Sequence, residues 1–336
     1  MASGSIYIAI DAMGGDFGPR ITVPAALMAL ERNADIEITL FGSEDEIRKV
    51  LPQTAAKPPE RLSIIHCDES IAMDEKPSSA LKRGKQTSLF RAVESLTQST
   101  RLCKAVVSAG NTGAFMAIGK HLLGMFHHID RPAICARLPS ANERTWVLDL
   151  GANIDSTPEM LYQYAQMGTV LVRTLENLDR PEVALLNVGS EQGKGHDTVR
   201  LAAEKMKASA QLNYVGFVEG NDVFTGNVDI VVCDGFVGNT LIKASQGLAR
   251  LISGMLLTDL DKTQREYMPV IAGFVEAFCA QIDPCRYNGA SLLGLNSTAV
   301  VSHGSANANA FAHAIELAAC ESKLELPLKL SSHFNQ

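Results

Sequence analysis

The sequence predicts an α/β fold of three layers, with helices on both faces of a mostly parallel sheet. Three observations carry this expectation. Strand-like runs and helical patterns alternate along almost the whole chain. The strand-like runs end in loops rich in glycine, asparagine and aspartate. At 46% hydrophobic and 20% charged, the composition is that of a globular protein with a sizeable core. The 336 residues contain no internal repeat, no low-complexity segment and no clear linker, so a single domain over 1–336 is expected.

Taken in order, Ile6-Tyr7-Ile8-Ala9-Ile10 reads as a strand that runs into Asp11-Ala12-Met13-Gly14-Gly15-Asp16 and a helix over 21–33. A second helix is expected over 44–50, stopped by Pro52, with a proline-marked surface connection at 54–59 and a third helix over 88–97. Ala105-Val106-Val107 leads into Ser108-Ala109-Gly110-Asn111-Thr112-Gly113 and a helix over 112–123, with His127-His128 at a surface helix end. Trp146-Val147-Leu148 leads into Asp149-Leu150-Gly151-Ala152-Asn153 and a helix over 158–177. Val183-Ala184-Leu185-Leu186 leads into the loop from Asn187 to Gly195 and a helix over 197–209. Asp229-Ile230-Val231-Val232-Cys233 leads into Asp234-Gly235-Phe236-Val237-Gly238-Asn239 and a helix over 237–257. A helix over 264–281 and a last one over 306–324 complete the pattern.

The helices over 237–257 and 264–281 form a helical hairpin, about 237–281, that protrudes from the sheet. Leu248, Leu251, Ile252, Met255, Leu256 and Leu260 fall at helical spacing and Leu257 widens the stripe, while Asp259, Asp261, Lys262 and Thr263 turn the chain. Such a stripe is a core or dimer face before it is a membrane-touching tip, although both uses are compatible.

Open α/β sheets bind ligands beyond the carboxyl ends of their strands, and helix N-termini there favour anions. Several such loops on one sheet edge would make a single polar crevice. The donors they offer are Asn111, Asn153, Asn187, Lys194, Asn239, Lys243 and His303, with Asp11, Asp16 and Asp234 among them. That set suits the binding of a small oxyanion and the stabilisation of an oxyanion that develops in a transition state. Each residue also has an ordinary use: asparagine and glycine in turns and caps, and Lys243 as a snorkelling helix side chain.

Other chemistries find little support. Gly14, Gly15 and Gly18 do not make GxGxxG, and Gly189, Gly193 and Gly195 lack the Lys-Ser/Thr ending of a phosphate loop, so no cofactor is expected. No HExxH or CxxC occurs, and no metal is expected. There is no GxSxG elbow, so a covalent intermediate is not demanded. A net charge of −7 argues against a nucleic-acid partner. The seven cysteines read as reduced core thiols. With no signal-like N-terminus and no transmembrane run, a cytoplasmic protein with peripheral membrane contact at most is expected. A basic cluster, Lys76, Lys82, Arg83, Lys85 and Arg91, is either a solvated helix face or a docking surface for an acidic partner.

Asp11-Ala12-Met13-Gly14-Gly15-Asp16 resembles the opening of the bacterial phosphate acyltransferases of phospholipid synthesis. So do Ser108-Ala109-Gly110-Asn111-Thr112-Gly113-Ala114, Leu148-Asp149-Leu150-Gly151-Ala152-Asn153 and Asp234-Gly235-Phe236-Val237-Gly238-Asn239. Gly289-Ala290-Ser291-Leu292-Leu293-Gly294 and His303-Gly304-Ser305 match as well, in order, so the resemblance runs from about Ile8 to Leu317. It implies an isocitrate/isopropylmalate dehydrogenase-like fold shared with phosphotransacetylase. The implied reaction is reversible transfer of a long-chain acyl group from acyl-acyl carrier protein to orthophosphate.

On that reading Lys194 binds phosphate, Asn239 donates to the thioester oxygen, and Asp234 orients Lys194 or a phosphate proton. Asp11, Gly14, Gly15, Asn111, Asn153, Asn187, Lys243 and His303 are further substrate contacts. The acidic carrier protein docks at Lys82, Arg83 and Lys85. Leu256 and Leu257 form the membrane-contacting tip, and a homodimer hands acyl phosphate to a membrane glycerol-3-phosphate acyltransferase. The rivals are a phosphotransacetylase-like enzyme using coenzyme A or NAD and a non-catalytic acyl-binding scaffold.

Overall fold

A computed structural model describes residues 5–51, 60–98, 104–141, 145–261, 268–283 and 287–335. The strands are β1 (Ile6–Asp11), β2 (Ile36–Gly42), β3 (Leu62–His66), β4 (Lys104–Ser108), β5 (Ala133–Arg137), β6 (Trp146–Leu148), β7 (Glu182–Leu186), β8 (Asn213–Val218), β9 (Ile230–Val232), β10 (Ala290–Leu293) and β11 (Thr298–Val301). The helices are α1 (Pro19–Arg32), α2 (Glu44–Val50), α3 (Pro77–Arg83), α4 (Ser88–Gln98), α5 (Thr112–Leu123), α6 (Pro158–Glu176), α7 (Asp197–Ala208), α8 (Gly235–Asp261), α9 (Met268–Ile282), α10 (Ala308–Lys323) and α11 (Leu326–Phe334).

Among the described residues, eleven strands join one sheet in the order β3-β2-β1-β4-β11-β10-β5-β6-β9-β7-β8. Inner strands such as β1, β4 and β9 are buried on both faces and read as apolar runs, while the edge strands β3 and β8 stay partly exposed. In β1, Ile8 and Ile10 face one layer and Ala9 the other. Local signals set the helix starts. Ser43 caps α2 by accepting from the Glu46 N–H, with three acids in the first turn. Thr157 and Asn307 cap α6 and α10 in the same way.

One face of the sheet is covered by α1, α2 and α10 over the β1 half, and by α6, α7 and α11 over the β9 half. The other face carries α3, α4 and α5 at one end and α8 at the other. This is the three-layer arrangement the sequence predicts. Between α5 and α8 the floor formed by β5, β10 and β11 stays open, and there the cleft lies.

The expectation of one sheet edge carrying every polar loop is corrected. β10 is antiparallel to both β11 and β5, and β5 is antiparallel to β6. Three reversals in a row make the parallel set β1-β2-β3-β4-β11 run opposite to the set β6-β7-β8-β9. The loops after β1, β4 and β11 therefore leave at one edge and those after β6, β7 and β9 at the other. The two loop sets meet only across the open centre of one face.

Helices α3 and α11, and strands β2, β3, β5, β8, β10 and β11, are additions to the sequence reading. His127 and His128 sit in an exposed turn, not at a helix end; His128 has the left-handed φ of 63°. The hairpin pairs α8 with α9. Its turn at Lys262 and Thr263, the side chains of Asp259, Leu260 and Asp261, Pro52, the 54–59 connection, Cys103 and Cys285 lie outside what the structure describes. Among the described residues, no helix is long and apolar enough to cross a membrane.

Candidate active site

The cleft encloses about 390 Å³. Its floor is apolar, with Ile134, Ala136 and Leu138 projecting in alternation from β5 and its extension, and Leu150, Phe224 and Ile242 around them. Its polar wall comes from two sides. Asn239, Lys243, Gln246 and Arg250 lie along α8, and Asp16, Ser302, His303 and Ser305 come from the loops after β1 and β11. An apolar trough with a cationic wall fits a ligand that is part hydrocarbon and part anion.

Of the residues expected from sequence, Asn239, Lys243 and His303 line this cleft. Lys243 and Arg250, seven residues apart and so on one helix face, have no carboxylate partner among the described residues. Their charge is available to a ligand. The His303 imidazole is held below the ordinary histidine pKa by partial burial first, then by the Lys243 and Arg250 charges, against the pull of Asp16.

The other predicted residues build the walls. Asp11 is buried; its Oδ1 accepts from Ser88 Oγ at 2.6 Å and its Oδ2 from Ser108 Oγ at 2.7 Å, which ties β1 to α4 and β4. Burial raises its pKa, and the two serine hydroxyls oppose that rise. Gly14 is required there: a Cβ would stand 2.7 Å from both Asp11 Oδ2 and the Gly110 nitrogen. Gly15 has φ +88° and lies under the Gly304 carbonyl. Asn111 caps α5 through the Ala114 N–H at 3.0 Å. Its amide nitrogen donates to the carbonyls of Ala72, Met73 and Glu75, so it pins the segment that carries Met73 into the cleft wall.

Asn153 is also spent internally. Its amide donates to the Pro132 carbonyl at 2.9 Å and to Asp149 Oδ2 at 3.1 Å, and its backbone N–H to Asp149 Oδ2 at 2.7 Å. Asp149, fully buried, also accepts from the backbone of Ile134, Gly151 and Ala152. Burial pushes its pKa up while these donors hold it down. The first turn of α8 lies directly on this loop. A Cβ on Gly235 would be 2.5 Å from the Asn153 carbonyl oxygen, and one on Gly238 would be 1.9 Å from that of Asp149. The glycines thus press the turn down and bring Asn239 against Gly151. Asp234 is the cap of this turn, accepting from the Val237 N–H at 2.8 Å.

Lys194 does not line the cleft. It is exposed on the loop after β7, whose base Asn187 closes by donating to the Gly189 and Lys194 carbonyls at 3.1 and 3.2 Å. That loop leaves from the strand beside β9, next to the Asp234–Asn239 turn. On the opposite side, Arg83 bridges Glu69 and Glu75 and Lys85 pairs with Glu94 at 3.4 Å. Lys82 has no carboxylate partner among the described residues.

Sequence reasoning passed over Arg250, Gln246, Ser302 and Ser305. The helical register from Asn239 and Lys243 was the available signal, since Gln246 and Arg250 continue the same face.

The family model described as fatty acid synthesis protein matches residues 6–326. A phosphate acyltransferase of Nitrosococcus oceani is 46% identical over 334 residues, covering 98% of this chain and 96% of its own. One from Shewanella woodyi is 44% identical over 325 residues, covering 96% and 94%. Among solved structures, a phosphotransacetylase from Streptococcus pyogenes aligns with a TM-score of 0.58 at 18% identity, over 95% of this chain and 94% of that one. A phosphotransacetylase from Staphylococcus aureus gives 0.58 at 14%, over 97% and 94%. These two show the fold alone, which is phosphotransacetylase-like. The sequence matches, spanning nearly the whole chain, show more: this chain belongs to the phosphate acyltransferases of the fatty acid synthesis protein family, and it is an acyltransferase.

Proposed function

We propose that the enzyme transfers a long-chain acyl group from acyl-acyl carrier protein to orthophosphate. The products are acyl phosphate, which feeds phospholipid synthesis, and free carrier thiol. The observation that carries this reading is the cleft in which an apolar floor meets Asn239, Lys243, Arg250 and His303. Phosphate is anionic near neutral pH, so its deprotonation is a minor problem. Bringing an anion to a thioester and holding the tetrahedral oxyanion is the major one. Lys243 and Arg250 offset the phosphate charge. Asn239 donates to the thioester oxygen. Lys194 is retained as a phosphate ligand delivered by the loop beside the Asp234–Asn239 turn, with Asp234 holding that turn.

The exposed stripe on α8 supports two further parts of the reading, a homodimer and a peripheral membrane contact that hands acyl phosphate to a membrane acyltransferase. Leu251 and Met255 are each 60% exposed and Phe274 on α9 72%. The acidic carrier protein docks through Lys82, which needs no internal ion pair to be broken.

The test is phosphate-dependent thiol release from palmitoyl-acyl carrier protein, with hydroxylamine trapping the acyl phosphate. Release that requires phosphate, with a trapped hydroxamate, establishes the reaction. Release only from coenzyme A thioesters, or acyl binding without turnover, overturns it. Asn239→Ala and Lys194→Ala should each lower turnover by about 100-fold; near-normal turnover in both folded variants would sink the role assignment.

A further inference from the structure

We infer that His303 is a catalytic residue of the proposed transfer, presenting Nε2–H to the acyl carbonyl oxygen as a neutral hydrogen-bond donor. The inference rests on the acyl-transfer reading above. The other ring nitrogen is occupied: Nδ1 accepts the backbone N–H of Ser305 at 3.2 Å, and Ser305 Oγ lies 2.9 Å from it. A backbone N–H only donates, so Nδ1 carries no proton and the neutral ring keeps its proton on Nε2.

The residue is also held in place. Its own N–H donates to Asn288 Oδ1 at 3.0 Å, and the Asn288 amide donates to Ser302 Oγ and to the Ala310 carbonyl, each at 2.8 Å. The Ala306 N–H closes the turn on the His303 carbonyl at 3.0 Å. The ring therefore stands on a frame of β11 and α10 while lining the same cleft as Asn239 and Lys243.

The charged groups that act on it are Lys243 and Arg250 from α8 and Asp16 from the loop after β1. With partial burial, the two cations favour the uncharged ring near neutral pH. A neutral donor suits this reaction. A phosphate oxygen forms the new C–O bond and negative charge gathers on the carbonyl oxygen. The C–S bond then breaks, and the thiolate leaves with the electron pair and takes a proton from water. His303 lends a hydrogen bond throughout and gives up no proton.

Two measurements on the full-length enzyme test this. Imidazole ¹⁵N NMR, with the His303 signals identified by their loss in His303→Gln, should show the uncharged Nε2–H tautomer near neutral pH. An imidazolium or an Nδ1–H tautomer there overturns the inference. In the palmitoyl-acyl carrier protein assay, His303→Ala should lower kcat by roughly 100-fold with the phosphate KM unchanged. His303→Gln, whose amide still donates, should recover part of the loss. Wild-type kcat in His303→Ala, or a loss wholly in the phosphate KM, overturns the role and leaves the reaction standing. A wild-type enzyme without phosphate-dependent release overturns both.

Discussion

At Gly238 the α8 backbone passes so close to the Asp149 carbonyl that even a methyl group must displace one of them. We predict that Gly238→Ala costs about 1–3 kcal/mol by overpacking and lowers turnover, because it lifts Asn239 off Gly151. Denaturant unfolding and kcat measured on the same variant check this. A second prediction concerns Glu321, buried on the face away from the cleft and hydrogen-bonded by Ser291. Burial pushes its carboxyl up from an ordinary 4.5 to about 8. Between those values the folded chain keeps a proton that the unfolded chain has lost. The stability that Glu321 contributes is therefore fully present below the ordinary value and is lost as pH rises, by at most about 1.4 kcal/mol per unit, levelling off above the folded value. Glu321→Gln should flatten that slope in unfolding curves. Residues of this kind show the limit of reading roles from loops. Asp11, Asn111 and Asn153 have the chemistry of ligands, but their atoms are taken by Ser88, by the 72–75 backbone and by Asp149. A sequence names a donor without naming what already accepts from it.

Several elements, short as well as long, were legible at their bounds. The bounds of α2, α5 and β6 match the pattern reading, and α8 differs from it only by extending past each end. Other short elements were not. α3 has seven residues with one buried position, Ala80, and α11 starts from Glu325 in a left-handed conformation. β5 and β10, of five and four residues, carry no periodicity long enough to count, and nothing in them announces that they run against their neighbours. That reversal decides where the cleft forms. For α8 and α9 the prediction is direct. Charged substitutions at Leu256 and Leu257 should reduce liposome binding while turnover of soluble substrate is kept. Dissociation of a dimer, seen by light scattering with liposome binding intact, would assign the stripe to a partner copy instead.

The fold of the whole molecule was anticipated because βα alternation and an apolar core leave few other architectures. Its site was anticipated in part, since the two sheet halves bring only some of the strand-end loops to one face. The proposed carrier surface was least legible, because the basic run at Arg83 and Lys85 is neutralised by Glu69, Glu75 and Glu94, which the chain's turns bring alongside it. We predict that Lys82→Glu raises the KM for acyl-acyl carrier protein and weakens its salt dependence, with little change in kcat. Equal kinetics at low and high salt in both proteins would remove that surface from consideration.

One continuous rod, α8, carries Lys243 in the cleft and Leu257 near its far end. Fourteen residues of helix separate them, about 21 Å at 1.5 Å per residue. If the tip rests on a bilayer, the rod fixes the standoff between the reaction centre and the lipid surface. One leaflet of hydrocarbon is roughly 15 Å deep, half of a ~30 Å core, and a long acyl chain spans it. Standoff and chain length are then of one scale, so a newly made product can dip its tail into lipid while its head is still leaving the cleft.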